Sequence, residues 1–315
     1  MVTAPECQIV SFTNAVALYG VIFTQDGEIV RESLINRGGE QSFLGMRRTG
    51  TPDVFSLESP LPPPMPMLYG PHVLLAQLWD SNYGHWIVEG LPRMAVLRDV
   101  MDFAGVKFVI NATSAEMLRV CTDSLRYYGV TPNQIVVRGA EVQPFEELIY
   151  PTPMTEQPWV KAPLAIRALE NLARRVGPGA RTPERIFLRR PDGGRRELLN
   201  RPAVRDFFLA RGYEEIDPAG MTFEEQVQVF SRARYIVGVL GAECTNLAFA
   251  PAGVRFLGLA PDEMQDDFFW DLVSHRGGKY MCLHGEAQNR ALQMNTPFTV
   301  DMTELQAVAA LFDGG

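Results

Sequence analysis

The segment from Ser231 to Gly253, S-R-A-R-Y-I-V-G-V-L-G-A-E-C-T-N-L-A-F-A-P-A-G, constrains the fold more tightly than any other stretch of the chain. Tyr235 to Val239 is a short run of strand formers. Gly238 and Gly241 bracket a turn that needs backbone freedom or the close approach of another group. Thr245 and Asn246 follow near the N-terminus of a short helix, which Pro251 and Gly253 close. A strand that turns into a helix at the carboxyl end of a parallel sheet is where α/β proteins hold anionic ligands. The segment therefore points to a phosphate or sugar-nucleotide site. It contains neither G-x-G-x-x-G with a ribose-binding acid nor G-K-[ST]. An ordinary strand–turn–helix crossover is the competing reading of the same residues.

The rest of the chain extends the alternation. After a strand-rich start, Val16–Phe23 and Glu28–Leu34 flank Gln25-Asp26-Gly27, a hairpin turn. Leu61 to Pro66 is a polyproline connector. An apolar strand is expected at Val73–Leu78, then a helical pattern from Gly84 to Leu97 that Pro92 starts or kinks. Strands follow at Lys107–Asn111, Gln134–Val137 and Leu148–Tyr150, with a helix from Ser114 to Tyr128 capped by Ser114. Pro151 to Pro163 carries four prolines and reads as a linker. Beyond it come a helix at Ala165–Val176, strands at Arg185–Arg189, Tyr213–Ile216 and Arg255–Leu259, and helices at Pro202–Arg211, Asp266–Ser274 and Thr303–Leu311. Thr222 and Glu225 form a capping box for a helix to Ser231. The reading is an α/β protein of two domains, 1–160 and 161–315, with a ligand cleft between them.

Composition excludes several classes. The formal net charge is −8, a poor match to sequence-independent nucleic-acid binding. Cys7, Cys121, Cys244 and Cys282 make no C-x-x-C and read as reduced thiols in a cytosolic protein. There is no signal-peptide pattern and no apolar run of membrane-spanning length, so membrane contact is at most peripheral. The cations are almost all arginine, with only Lys107, Lys161 and Lys279 as lysines. Arginine suits bidentate binding of phosphate.

Two further segments carry chemistry. In Asp80-Ser-Asn-Tyr-Gly-His-Trp-Ile-Val-Glu-Gly-Leu-Pro-Arg93, His85 and Glu89 are four apart and share a helix face. A histidine oriented by a carboxylate is a general base. The plainer alternative is a helix-start histidine satisfied by backbone groups, with Glu89 in solvent. In Arg189-Arg190-Pro-Asp-Gly-Gly-Arg195-Arg196-Glu-Leu-Leu-Asn200, arginines at a strand end can clamp a diphosphate and stabilise it as it leaves. A solvated basic loop is the alternative. His72, His275 and His284 show no ligand spacing. The pairs Asp262-Glu263 and Asp266-Asp267 rank low as cation ligands, and no dedicated metal site is indicated.

Taken in order, these segments resemble glycosyltransferase family 61, which includes bacterial capsular polysaccharide transferases and eukaryotic transferases acting on glycoproteins and plant xylans. Asn82-Tyr83-Gly84-His85-Trp86 with Leu91-Pro92-Arg93 is similar to its N-[YW]-x-H-[WF] and L-P-R signature. Ile186 to Arg190 with Arg195, Arg196 and Asn200 resembles its I-[YF]-[IL]-x-R…R-x-[IL]-x-N block. Phe223 to Gln226 and Ala233 to Gly253 resemble the later blocks. The resemblance covers about Asp80 to Leu259. It implies a GT-B-like fold, two Rossmann-like domains facing across a cleft, in which the last helix often packs back on the first domain. It also implies inverting, metal-independent transfer from a nucleotide sugar, UDP-linked, to a saccharide or lipid-linked saccharide acceptor. The setting would be capsular polysaccharide or exopolysaccharide synthesis in a bacterial cytoplasm, peripherally at the inner membrane.

On that resemblance, His85, Glu89 or Asp80 supplies the base. Asn82, Tyr83, Trp86 and Arg93 lie on the acceptor side. Arg189, Arg190, Arg195, Arg196, Asn200, Gly241, Ala242, Glu243, Thr245 and Asn246 meet the donor, and no cofactor is needed. Many members have histidine where Leu240 stands, and here Glu243 and Cys244 replace a glycine and an aliphatic residue. A carboxylate beside a diphosphate repels it unless it points away or binds sugar hydroxyls. These departures motivate a rival reading, a non-catalytic nucleotide-sugar or polysaccharide binding subunit of a synthesis complex. A nucleotide-dependent oxidoreductase is the third reading, and the missing dinucleotide fingerprint argues against it. The donor sugar, acceptor, linkage and oligomeric state are not legible.

Overall fold

In the computed structural model the first tight turn falls at Tyr19-Gly20, where φ is 50° and 83°. Two residues with positive φ give the two-residue turn whose twist matches a hairpin, and they join β1 (Ile9–Leu18) to β2 (Val21–Phe23). Only glycine fits at 20, because a Cβ there would collide with the backbone of Ala76 and Gln77. A second turn closes at Gly27, with Thr24 N–H on Glu28 O at 2.8 Å. The expected strand Glu28–Leu34 is absent. An isolated bridge at Ile29 and a 3₁₀ turn at Arg31–Ser33 replace it, and Ser33 Oγ accepts the Ile22 N–H that a paired strand would have taken.

The structure describes residues 5–34, 44–48, 55–57, 61–139, 141–156, 160–180, 183–190 and 193–314. Residues 157–159 of the expected linker and 191–192 of the expected glycine turn lie outside them. The chain divides into two units, Met1–Ala168 and Leu169–Gly315.

The first unit adds β3 (Leu68–Leu74), helix α1 (Arg93–Val100), β4 (Lys107–Ile110), α2 (Ala115–Arg126), β5 (Ile135–Val137) and β6 (Gln143–Pro151). Its sheet has the order β2-β1-β6-β3-β4-β5, parallel from β6 to β5 and antiparallel at β1 and β2. Leu74, Val109, Phe145 and Leu148 are fully buried on it. The expected strand Val73–Leu78 begins earlier and stops at Leu74. Beyond it Leu75 and Ala76 both direct their N–H groups to Val109 O at 2.9 Å, so the ladder ends and the chain turns away.

Helix α3 (Pro163–Val176) spans the division. The second unit continues with β7 (Arg185–Leu188), α4 (Arg201–Leu209), β8 (Glu214–Ile216), α5 (Phe223–Phe230), β9 (Tyr235–Val239) and a 3₁₀ segment, Ala242–Phe249. Then come β10 (Arg255–Pro261), α6 (Phe268–His275), β11 (Lys279–Ala287), β12 (Phe298–Thr299) and α7 (Met302–Gly314). The order is β8-β7-β9-β10-β11-β12, parallel except for β12. The Thr222–Glu225 capping box forms in both directions. Strand β11 is a finding of the structure: few of its side chains are buried, and its apolar run, Tyr280 to Leu283, covers less than half of its length. Leu305, Ala309 and Phe312 of α7 enter this unit's core beside Phe187, Val204 and Phe208. Asp313 adds an ion pair to Arg185 at 2.6 Å. The buried face of the last helix is thus used within the second unit. Among the described residues no helix is long and apolar enough to cross a membrane.

Candidate active site

In the first sheet the chain leaves β3 towards β4 and β5, then returns to place β6 on the other side of β3. Strand order reverses there, and in parallel sheets ligands bind at the carboxyl ends flanking such a reversal. The residues following β3 fill this position. Asn82 Oδ1 accepts Gly84 N–H at 2.8 Å and starts a single α-turn, Tyr83–His85. A π-turn, Trp86–Gly90, follows, with Leu91 N–H on Trp86 O at 2.8 Å. Pro92 has no N–H to continue the pattern, and α1 begins after it. Single π-turns recur at functional sites. Gly90 permits this one, because a Cβ would come within 2.7 Å of the Trp86 ring.

The turn brings His85 Nδ1 to Glu89 Oε1 at 2.9 Å. The other Glu89 oxygen accepts Gln77 Nε2. Gln77 Oε1 accepts Arg93 Nη2 at 3.1 Å, and Gln77 N–H donates to Asp80 Oδ2 at 2.9 Å. Arg93 donates to the carbonyls of Leu75, Glu89 and Pro151, and so ties the carboxyl ends of β3 and β6 together. Asp80, Glu89 and Arg93 are buried, whereas the His85 side chain is 28 % exposed. Of the three candidate bases only His85 reaches solvent.

The electrostatics follow from burial. Desolvation pushes the Asp80 carboxyl up to about 7, against the Gln77 amide, the Arg93 charge and Asn111. Burial also acts to lower the His85 pKa, but the charge and hydrogen bond of Glu89, with the charge of Asp80, outweigh it and hold it above the ordinary histidine value. Burial pulls Arg93 downward. Trp86 and Arg93, expected on the acceptor side, are interior. Trp86 Nε1 donates to Ser124 Oγ at 3.0 Å, and the Arg93 guanidinium is taken up by strand ends. Asn82 is exposed and Tyr83 partly so.

The second sheet reverses between β7 and β9. Arg189 and Arg190 leave the carboxyl end of β7, and Leu240-Gly241 leaves that of β9. Arg189 pairs loosely with Asp217 at 3.7 Å and is 46 % exposed. Arg190 Nη1 donates to Glu243 Oε1 at 2.6 Å, and its Nε donates to Arg195 O at 2.9 Å. Gly241 leaves room for this approach: a Cβ there would meet Arg190 Nη1 and both Glu243 oxygens and would displace the ends of those side chains. Arg196, at φ 56°, lies close enough to Arg190 and Glu243 to feel both charges. Burial, then Arg190, lowers its pKa, and its Nε is buried without a hydrogen-bond partner among the described residues.

The other expected donor residues divide. Ala242 is partly exposed beside Glu243, and Arg195 contributes its carbonyl to Arg190. Thr245 and Asn246 are interior. Asn246 Nδ2 donates to Gln226 Oε1 at 2.8 Å and Glu243 O at 3.2 Å, holding the turn against α5. Asn200, expected at the donor, instead binds the backbone of Val300 with both ends of its carboxamide, at 2.8 and 3.3 Å. Leu240 is buried and packs on Gly258 of β10. Asp262 and Glu263 are engaged by Arg290. Gln77 and Gln226 are the connecting residues that sequence reasoning did not assign. Gln77 is a lone amide inside an apolar stretch, which is the signal that marks it, whereas Gln226 sits among Glu224, Glu225 and Gln228 and carries no such mark.

Residues 83–257 match a family model described as Glycosyltransferase 61. The match covers more than half of the 315 residues; it includes the whole reversal between β7 and β9 and, at the first reversal, β6 and the residues from Tyr83 onward that follow β3. A comparison with curated proteins found no match.

Proposed function

The chain belongs to glycosyltransferase family 61, and from that premise we propose that it is an inverting transferase moving a sugar from a nucleotide-sugar donor to a saccharide acceptor. A glycosyltransferase takes a sugar donor and an acceptor; the remaining particulars are our reading. The acceptor hydroxyl attacks the anomeric carbon, a carbon–oxygen bond forms on one face, and the bond to the diphosphate breaks on the other. The electron pair leaves on the phosphate oxygen, and the hydroxyl proton passes to His85 Nε2. Glu89 stabilises the imidazolium through Nδ1–H, and Asp80 and Gln77 support Glu89 and the turn. Arg190 and Arg196, with Arg189 beside them, take the charge of the departing diphosphate. That is the role a divalent ion plays in other transferases, so transfer without a metal is part of the proposal.

The observation that carries this reading is the His85–Glu89 pair, 2.9 Å apart, with one partner buried and the other open to solvent. Such a pair is what a general base needs. A GT-B arrangement, a UDP-linked donor and a role in capsular polysaccharide or exopolysaccharide synthesis at the cytoplasmic side of the inner membrane belong to the same proposal. The Arg190–Glu243 pair favours a second reading, a nucleotide-sugar binding subunit without turnover, because an arginine already neutralised has less to offer a leaving group.

The test is a panel of nucleotide sugars and free nucleoside diphosphates, with magnesium or with chelator. Thermal shift reports binding, and mass spectrometry reports transfer to oligosaccharide acceptors. Transfer that survives chelator and disappears in His85→Ala, with the diphosphate shift retained, is the expected result. Binding without turnover across the panel would favour the second reading.

A further inference from the structure

We propose that Glu243 is a built-in competitor for the donor's diphosphate: its carboxylate occupies Arg190 while the site is empty and returns to expel the nucleoside diphosphate product. The inference rests on the reading of the arginine cluster as the diphosphate site and adds to it the residue that limits how long product stays.

Three features support it. First, the Glu243 carboxylate stands where an anion would stand. One oxygen is 2.6 Å from Arg190 Nη1, and both would lie within 2.9 Å of a Cβ at Gly241, so the carboxylate covers the glycine of the turn. The close approach that a glycine normally offers to a phosphate is filled by the protein's own side chain. Second, Arg190 does not depend on Glu243 for its position. Its Nε is fixed separately on Arg195 O at 2.9 Å, so Nη1 can exchange one anion for another while the guanidinium stays in place. Third, the pair is close to balanced in charge but the cluster is not saturated. Arg196 lies beside both members, with Nε buried and without a hydrogen-bond partner among the described residues. An incoming diphosphate has two cations and an unmet donor to gain, and loses only the displacement of one carboxylate.

The side chains of Arg190 and Glu243 are 16 % and 19 % exposed. At that depth an ion pair is screened less than on the surface, so replacement has a measurable cost. The consequence is an affinity for diphosphate that is deliberately incomplete. Removal of the Glu243 charge is expected to tighten binding, which is the reverse of what a donor-contacting residue does when it is lost.

The experiment measures binding of inorganic pyrophosphate by titration calorimetry, on the full chain, in wild type, Glu243→Gln, Arg190→Ala and Asp206→Asn. Glutamine keeps the shape and removes the charge. Asp206 is an exposed carboxylate paired with Arg205, outside the arginine cluster, and controls for general loss of negative charge. A thermal melt of each variant confirms that it is folded. The expected result is about tenfold tighter binding in Glu243→Gln, less than twofold change in Asp206→Asn, and weakened binding in Arg190→Ala. Glu243→Gln binding equal to or weaker than wild type, with Arg190→Ala weakened, overturns the competitor role and leaves the diphosphate site standing. Equal gains in Glu243→Gln and Asp206→Asn overturn it as well, since bulk charge then explains both. Absence of pyrophosphate binding in wild type and Glu243→Gln alike overturns the diphosphate site and the competitor together.

Discussion

At the end of β3, the side-chain groups of Gln77, Glu89 and Arg93 are matched to one another and to strand-end carbonyls. At the ends of β7 and β9, Arg189 is 46 % exposed and Arg196 Nε has no partner among the described residues. Both regions arise from a reversal of strand order in a parallel-rich sheet. They differ in what is left over: after β3 it is one buried carboxylate oxygen, Asp80 Oδ1, and after β7 and β9 it is a cationic N–H. A closely connected buried network fixes geometry, and a base must be held in one orientation and tautomer. A cluster of cations with an unmet donor retains affinity for an anion from outside. The difference teaches that the same topological position serves for orienting a proton acceptor or for receiving charge, according to the charge of the groups that internal contacts leave over.

The sharpest way to break this comparison is to remove one group from each region. His85→Ala is expected to lower kcat by about 10²–10⁴-fold, the range for a general base, with pyrophosphate affinity unchanged. Arg190→Ala is expected to raise the pyrophosphate Kd by about 10–100-fold, the loss of a hydrogen-bonded charge. A loss of pyrophosphate affinity in His85→Ala would show that the two regions do not divide the work.

Next in size is Arg93→Met. It strands the Leu75 and Pro151 carbonyls and Gln77 Oε1 inside the protein, and about 3–5 kcal/mol of stability is expected to go. Urea unfolding measures this, and a loss below about 1 kcal/mol would mean that the network is not the fastening described.

Asp80→Asn concerns pH. The folded pKa near 7 lies above the ordinary carboxyl value near 4. Between those values the folded state holds a proton that the unfolded state has lost, so stability falls as pH rises from about 4 to about 7, by up to about 4 kcal/mol. The asparagine variant is expected to flatten that slope in urea midpoints, and an unchanged slope would remove Asp80 as its source.

The smallest effect is expected for Glu89→Gln. Loss of the charge that raises His85 leaves burial to lower it. The acid limb of kcat/KM, which reports the base losing its proton, is then expected at lower pH. A limb that stays or moves upward would detach Glu89 from the base.

Much of the second unit was legible because β7, β9 and β10 are buried on both faces and its helices carry marked starts. Tyr235–Val239 falls where the apolar run places it, and Thr222 with Glu225 caps α5. The first unit was less legible. The hairpin at Tyr19-Gly20 interrupts an unbroken apolar run, and Tyr19 at φ 50° gives no local sign of it. In the site, the four-residue spacing of His85 and Glu89 survives as a hydrogen bond. Trp86 and Arg93 look like contact residues by type, but burial decides otherwise. Asn200 reads as a ligand and is a backbone clamp, because Val300 is distant in sequence and near only in the fold.

The sequence by itself determined the alternation of strands and helices, the glycine turn after β9, the arginines after β7 and the spacing that lets His85 meet Glu89. These depend on period, cap chemistry and backbone freedom, all of which act over a few residues. The tertiary structure alone decided that Gln77 joins Glu89 to Arg93, that Arg93 bridges β3 to β6, and that Glu243 lies on Arg190. The last two join groups from the ends of separate strands, and the first closes the chain after β3 on the turn and helix that follow it. Their meeting is set by strand order and desolvation, which no local pattern records.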